Sequence, residues 1–326
     1  MRVRTLGRSG LSVSEIGFGA WGIGKSMWGT TDDAQSRKAL LAALDLGINF
    51  FDTAYVYGHG HSETLIAQAF RNSGLRAQVA TKIPPKNMEW PAHPRTLLSS
   101  AFPPDWVRSC TETSLRNLRL DCVDVQQLHV WTDAWLKDKA WPETLAALQA
   151  LRREGKVRFI GVSVNSDDPD SALEIVRSGE IDAVQVILNL FEQRPLERLL
   201  PLCREKNVGV VARCPFDEGG LTGTLTPRTR FEPQDFRSFY FGGSRLMQTY
   251  QRAKEIEKTL AKTRTPDLAQ AALKFCLSFP AVSTVIPGMR TRAHVRDNAR
   301  AADGKYFDAR ALGQLKAHAW TRNFYS

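Results

Sequence analysis

The chain has 326 residues, 43% of them apolar and 24% charged, which is ordinary globular composition with material for a large core. The net charge of +10 suits an anionic ligand. However, the 44 Lys and Arg are scattered through stretches such as "LRREGKVR" and "RTRAHVR", with no basic block interleaved with aromatics, which argues against a nucleic-acid partner.

In chain order, two short β-like segments, "VRTLG" and "LSVS", precede a regular alternation. "EIGFG" reads as a first strand. "DDAQSRKALLAALDLG" reads as a helix, with Leu40, Leu41 and Leu44 at helical spacing, Thr31 or Asp32 as cap and Gly47 as stop. "INFFDT" is a buried strand followed by the helix "HSETLIAQAFRNS", then "AQVATK" with "DWVRSCTETSLRNL", and "VDVQQLHV" with "ETLAALQALRREG". "VRFIGVSV" leads to "PDSALEIVRSG", and "AVQVIL" to "LERLLPLCREK". "VGVVARCP" runs into a long loop and two helical stretches, and "VSTVIP" with "TRAHVRDNARAA" closes the series. These are eight strand–helix units with near-continuous apolar strands and no linker, so one (β/α)8 barrel domain over residues 1–326, with an N-terminal β-hairpin, is expected. Five widely spaced cysteines without a CxxC (Cys110, Cys122, Cys203, Cys214, Cys276) read as free thiols. With no signal-peptide pattern and no run long enough to span a bilayer, they point to a cytoplasmic protein.

A barrel puts its chemistry at the C-terminal ends of its strands. Those ends carry Asp52 then Tyr57, Lys82, His129, Ser163, Gln185, Arg213 and "IPG". Singly, each has a bland reading as a cap, a packing aromatic or a solvated lysine. Jointly, Asp52, Tyr57, Lys82 and His129 at consecutive strand ends suit proton exchange with a carbonyl/alcohol pair. A phenol near pKa 10 needs help to exchange protons at neutral pH, and a charged Lys82, kept so by Asp52, is expected to bring it down. A neutral His129 would orient the carbonyl oxygen. His59 and His61 in "YGHGHSE" lack further ligands at metal-binding spacing, so no metal is expected. The glycines of "GFGAWGIG" do not open the βαβ unit that a dinucleotide fingerprint requires.

The chain resembles the aldo-keto reductase family from "RTLGRSGLSVSEIGFGAWGIG" through the "IPG…DN" segment ending at Asn298. "FFDTAYVYGHGHSE" resembles its Asp-x4-Tyr-Gly signature, "VATK" its lysine strand, "VDVQQLH" its histidine strand and "GKVRFIGVS" its fifth strand, while "RCPFDEGGLTG" resembles the cofactor loop after the seventh. The resemblance implies a reductase that uses NADPH/NADP+, with Tyr57 as general acid, Lys82 and Asp52 assisting, and His129 positioning the carbonyl. It implies a cofactor lying along Ala20, Trp21, Asp52, Ser163, Gln185, Arg213, Pro215, Phe216, Gly219, Leu221, Ile286, Gly288, Arg290, His294, Asp297 and Asn298. Arg290 and Arg292 are available for a 2′-phosphate through paired hydrogen bonds.

Departures from the family pattern concern the same cofactor. Val164 stands where the family commonly has asparagine, with Asn165 displaced by one, and a one-residue shift along a strand reverses the face. Arg213 replaces the usual stacking aromatic, Gly288 a common lysine and His294 an arginine. For the substrate, a small carbonyl or alcohol compound, Trp21, Trp28, Tyr57, His129 and Trp131 are the expected contacts. Trp135 and the proline-rich loop "PPKNMEWPAHPRTLLSSAFPPDW", with Trp90 and Phe102, are further candidates for lining. Two alternatives stay open: a nicotinamide-binding regulatory or scaffold protein with little turnover, and a Schiff-base enzyme built on Lys82.

Overall fold

In the computed structural model, which describes residues 1–25, 27–261 and 267–325, the alternation closes into a barrel. Strands β3 (Phe18–Gly19), β4 (Phe50–Asp52), β5 (Gln78–Ile83), β6 (Val123–Leu128), β7 (Val157–Ser163), β8 (Ala183–Ile187), β9 (Gly209–Arg213) and β10 (Val282–Ile286) form one sheet in chain order. Every neighbouring pair in it is parallel. Parallel bridges from Ile16 to Val285 and from Gly19 to Gly288 bring the two edges together. The sheet is a nearly closed (β/α)8 barrel.

Two further strands, β1 (Val3–Thr5) and β2 (Ser12–Ser14), pair antiparallel as the expected N-terminal hairpin. Leu6, Leu11 and Val13 from this hairpin pack with Phe50, Ala80, Val125, Ala183, Val211 and Ile286, and so plug the floor of the barrel. Gly7 (φ 49°) lies so close to the chain that a Cβ there would sit 2.3 Å from the Gly209 nitrogen, which leaves room only for glycine.

Side chains of a strand alternate between faces. Phe51, Val79, Leu128, Ile160, Val184, Val210 and Val285 therefore face the helical layer and form the main core. On the other face, residues two positions above the floor cluster reach the mouth: Asp52 above Phe50, Lys82 above Ala80, Gln127 and then His129 above Val125, Gln185 above Ala183, and Arg213 above Val211. One period-2 pattern thus builds an apolar floor and a polar rim. The helix His61–Ser73 has the expected bounds, and Pro104–Leu118 begins on a proline, whose missing N–H costs nothing there. No described helix is long and apolar enough to cross a membrane. Beyond the expected elements, a helix Ala309–Lys316 and the tail after it return to the mouth, where Trp320 packs edge-on to Phe191 and Phe324 to Tyr240.

Candidate active site

Lys82 and Asp52 meet at the barrel mouth as a buried ion pair, Nζ to Oδ2 2.7 Å, with relative side-chain exposures of 0% and 4%. The Lys82 ammonium has three protons and three acceptors: Asp52 Oδ2, the Thr53 carbonyl at 2.7 Å and Tyr57 Oη at 3.4 Å. The other Asp52 oxygen accepts from Gln185 Nε2 at 2.7 Å. One of the two Gln185 amide protons is thus held inside the site. His129 stands edge-on to Tyr57, ring centroids 5.7 Å apart, so the four expected residues do come together.

The electrostatics differ from expectation in one respect. Burial, followed by the Asp52 carboxylate, pushes the Tyr57 phenol well above its usual range instead of down. At 2.7 Å from Asp52, Lys82 is largely neutralised, and the cation that pulls on the phenol is Arg213. Burial also lowers the Lys82 pKa, although Asp52 opposes this. Desolvation, with Lys82 and Arg213, holds His129 well below its ordinary value of 6.5. The site is thus a protonated phenol beside a neutral imidazole.

The sign of the histidine shift carries a stability prediction. Between pH 6.5 and 5 the unfolded chain takes up a proton at this position that the folded chain refuses, so His129 makes folding less favourable as pH falls through that window. Unfolding His129→Gln in urea at pH 7 and pH 5 should show a smaller loss of stability on acidification than the wild type. Equal losses would contradict the burial of a neutral imidazole.

These side chains open onto a cavity of about 1170 Å³, larger than one small substrate requires. Trp21, Ser163, Arg213, Pro215, Phe216, Gly219, Ile286, Gly288, Arg290, His294, Asp297 and Asn298 line it as expected. Ala20 and Leu221 do not; both are fully buried behind the wall. Arg292 lies outside the lining, and Arg300 takes its place among the cations at that end. Arg213 Nη2 donates to the Val164 carbonyl at 3.2 Å and Ser166 Oγ at 3.1 Å. Asn165 does not take over the role of an asparagine at 164. Its amide is committed at both ends to Ala92, accepting from the backbone nitrogen at 3.0 Å and donating to the carbonyl at 2.8 Å.

The tryptophans divide. Trp21, Trp28 and Trp90 line the cavity. Trp131 does not; it is fully buried against Trp135 and Trp141, and its expected substrate contact is withdrawn. Trp135 and Phe102 likewise pack edge-on against each other in the core. The sequence reading also missed the tail. Tyr325 and Asn323 line the cavity, and Tyr325 Oη donates to Glu218 Oε1 at 2.5 Å, while Arg322 pairs with Asp217. These contacts hold a loop in which Cys214, Asp217 and Glu218 all have positive φ (50°, 51° and 55°), a conformation costing roughly 1–3 kcal/mol per residue. All five cysteines are free.

A dinucleotide fits the donor set. Buried polar atoms of native proteins are nearly always paired, yet Arg213 Nε and Asn298 Nδ2, both on side chains expected along the dinucleotide, lack a partner among the described residues, as do Trp28 Nε1 and His129 Nδ1 on side chains expected at the substrate. A Cβ on Gly288 would meet nothing within 4 Å, so the wall is open at that point.

The family model described as "Aldo/keto reductase family" matches residues 15–319. The fold is similar to that of an aldo-keto reductase from Bacillus halodurans in its holo form (TM-score 0.77, 27% identity, 99% of this chain and 97% of that one). It is also similar to an aldo/keto reductase from Klebsiella pneumoniae in complex with NADP and acetate (TM-score 0.69, 26% identity, 97% and 95%). The NADH-specific methylglyoxal reductase of Escherichia coli is 27% identical, over 95% of this chain and 96% of that one.

Proposed function

We propose, on the premise that this chain belongs to the aldo/keto reductase family, that it is an NADP(H)-linked reductase interconverting a small carbonyl compound and its alcohol. The observation that carries the reading is Tyr57 Oη held 3.4 Å from a buried ammonium whose protons are otherwise committed to Asp52 and Thr53. When bound, the reduced nicotinamide supplies the hydride. The carbonyl oxygen rests between the Tyr57 hydroxyl and the His129 ring. Tyr57 gives its proton to that oxygen as negative charge develops there, and the neutral imidazole aligns the carbonyl without competing as an acid. A phenol kept protonated by its surroundings is poised for reduction. In the reverse direction Lys82 and Arg213 are the cations available to stabilise the phenolate. A scaffold without turnover would have no use for this arrangement, and a Schiff-base enzyme would need a lysine with a free lone pair, which the Asp52 pair denies to Lys82.

The far end of the cavity supports the phosphate-bearing cofactor. Arg290, with Nη1 on the Trp28 carbonyl at 3.1 Å, stands just before the helix Arg292–Ala299, whose N-terminus favours anions, and Arg300 lines the same end. We read the whole chain as one barrel domain working on a soluble small molecule, and the free thiols support a cytoplasmic setting. Charge-assisted hydrogen bonds to a 2′-phosphate should favour NADPH over NADH by about tenfold to a hundredfold in Kd. Fluorescence titration with each nucleotide checks this, and Arg290→Met should erase much of the preference. Tighter binding of NADH would overturn the phosphate assignment and leave the reductase standing.

A further inference from the structure

On the substrate side the cavity carries a group of aromatic and thioether side chains. Trp21 lies nearly parallel to Tyr57, ring centroids 6.1 Å apart at 25°, with Trp28 edge-on to it at 5.2 Å and Phe236 tilted against it at 5.6 Å. On the histidine side, Trp90 stands edge-on to His129 at 4.8 Å. The proton donor and the orienting imidazole are therefore flanked by an indole each. At the rim sit Met27, Met88 and Trp90, with relative exposures of 50%, 55% and 42%, all lining the cavity. Both methionines adopt left-handed backbone (φ 68° and 55°), an uncommon conformation for non-glycine residues. Large apolar side chains left exposed together at a cavity mouth mark a surface that takes an apolar ligand.

Two polar side chains in this part, Asn165 and Arg237, are already occupied, while His59 and Asp167 line the same cavity. The Asn165 amide is closed on Ala92 at both ends. Arg237 is paired with Asp235 at 2.6 Å and lies over the Trp28 ring at 4.9 Å. Trp28 Nε1 is a buried donor without a partner among the described residues, which one remote oxygen of the substrate would satisfy. The loop bearing Met88 and Trp90 is also fixed in place. Trp106 Nε1 donates to the Pro84 carbonyl at 2.8 Å, Asn165 holds Ala92, and Trp135 Nε1 donates to the Thr96 carbonyl at 2.8 Å. Asn165 is thus a positioning residue for the Trp90 wall.

We infer that the carbonyl substrate is a flat, uncharged, aromatic or conjugated aldehyde or ketone, seated between Trp21 and Trp90 with its oxygen on Tyr57 and His129. The inference rests on the reductase reading. In the step, a hydride supplied by the reduced nicotinamide, which would be left oxidised, would form the new C–H bond as the carbonyl π bond breaks; the oxygen takes the Tyr57 proton, the phenolate is reprotonated from water, and the alcohol leaves. Aromatic faces suit such a ligand because its ring adds offset or edge contacts to the area it buries.

The test compares 2-naphthaldehyde with glyceraldehyde as substrates, with saturating NADPH, in the wild type, Trp90→Ala and Asn165→Ala. Wild-type kcat/KM should favour naphthaldehyde by about a hundredfold or more, since each lost methylene-sized contact is worth about tenfold or more. Both variants should cut that ratio by about tenfold, chiefly by raising the naphthaldehyde KM. The ratio does not depend on how much of a preparation is folded. A wild type that prefers glyceraldehyde, or variants that slow both substrates equally, would overturn the substrate class while the reductase stands. No reduction of either aldehyde would take down the reductase reading and this inference with it.

Discussion

Replacing Tyr57 by Phe should lower kcat for carbonyl reduction by about 10²- to 10⁴-fold, the usual contribution of a positioned general acid, while the nucleotide still binds. The reason is local. Two proton-bearing groups stand directly against the phenol: the Lys82 ammonium, which spends its protons on Asp52, Thr53 and Tyr57 itself, and a histidine whose pKa is too depressed for it to act as an acid at neutral pH. Neither can substitute. The change removes one hydroxyl and keeps the ring that stacks on Trp21 and stands against His129, so the cavity walls survive. Stopped-flow or steady-state oxidation of NADPH against an aldehyde reads the loss directly. A Phe variant with wild-type kcat would remove Tyr57 from the chemistry.

The second large effect concerns stability. Asp52→Ala leaves the Lys82 ammonium buried without its counter-ion and the Gln185 amide without its acceptor. Breaking a buried ion pair by deleting one partner costs about 3–5 kcal/mol, and replacing both partners with apolar groups costs far less. Equilibrium unfolding in urea should therefore show Asp52→Ala strongly destabilised and Asp52→Ala/Lys82→Met recovering a good part of the loss. If the double variant were as unstable as the sum of the single ones, the two groups would not be coupled as their 2.7 Å contact requires.

The barrel and its catalytic set were legible because both rest on short-range periodicity. Alternation along β4, β5 and β6 puts Asp52, Lys82 and His129 on the inner face above Phe50, Ala80 and Val125, and no distant information is needed to see it. Helical spacing likewise places His294, Asp297 and Asn298 on one face of their helix and Arg292 across from it, which is why Arg292 drops out of the lining. What stayed hidden depends on contacts between remote segments. Tyr325 reaches Glu218 across 107 residues, and Asn165 reaches Ala92 across 73, with no local pattern announcing either. Trp131 and Trp135 sit in a mouth loop by sequence, yet their large rings are buried because Trp141 and Phe102 from neighbouring segments pack against them. The phenol shift was misjudged for a related reason. Proximity of Lys82 to Tyr57 follows from the strands, but the burial that chiefly raises the phenol belongs to the assembled mouth, and the tighter grip of Asp52 on that lysine is a matter of ångströms.

The central claim is hydride transfer to a carbonyl with Tyr57 supplying the proton. It is tested most directly by incubating the enzyme with an aromatic aldehyde and NADPH carrying deuterium at the transferable C4 position, then locating the label by NMR. The account predicts deuterium on the carbinol carbon of the product alcohol, and loss of that product in Tyr57→Phe although the nucleotide stays bound. Nucleotide that binds while its deuterium never appears in any carbonyl-derived product would contradict it.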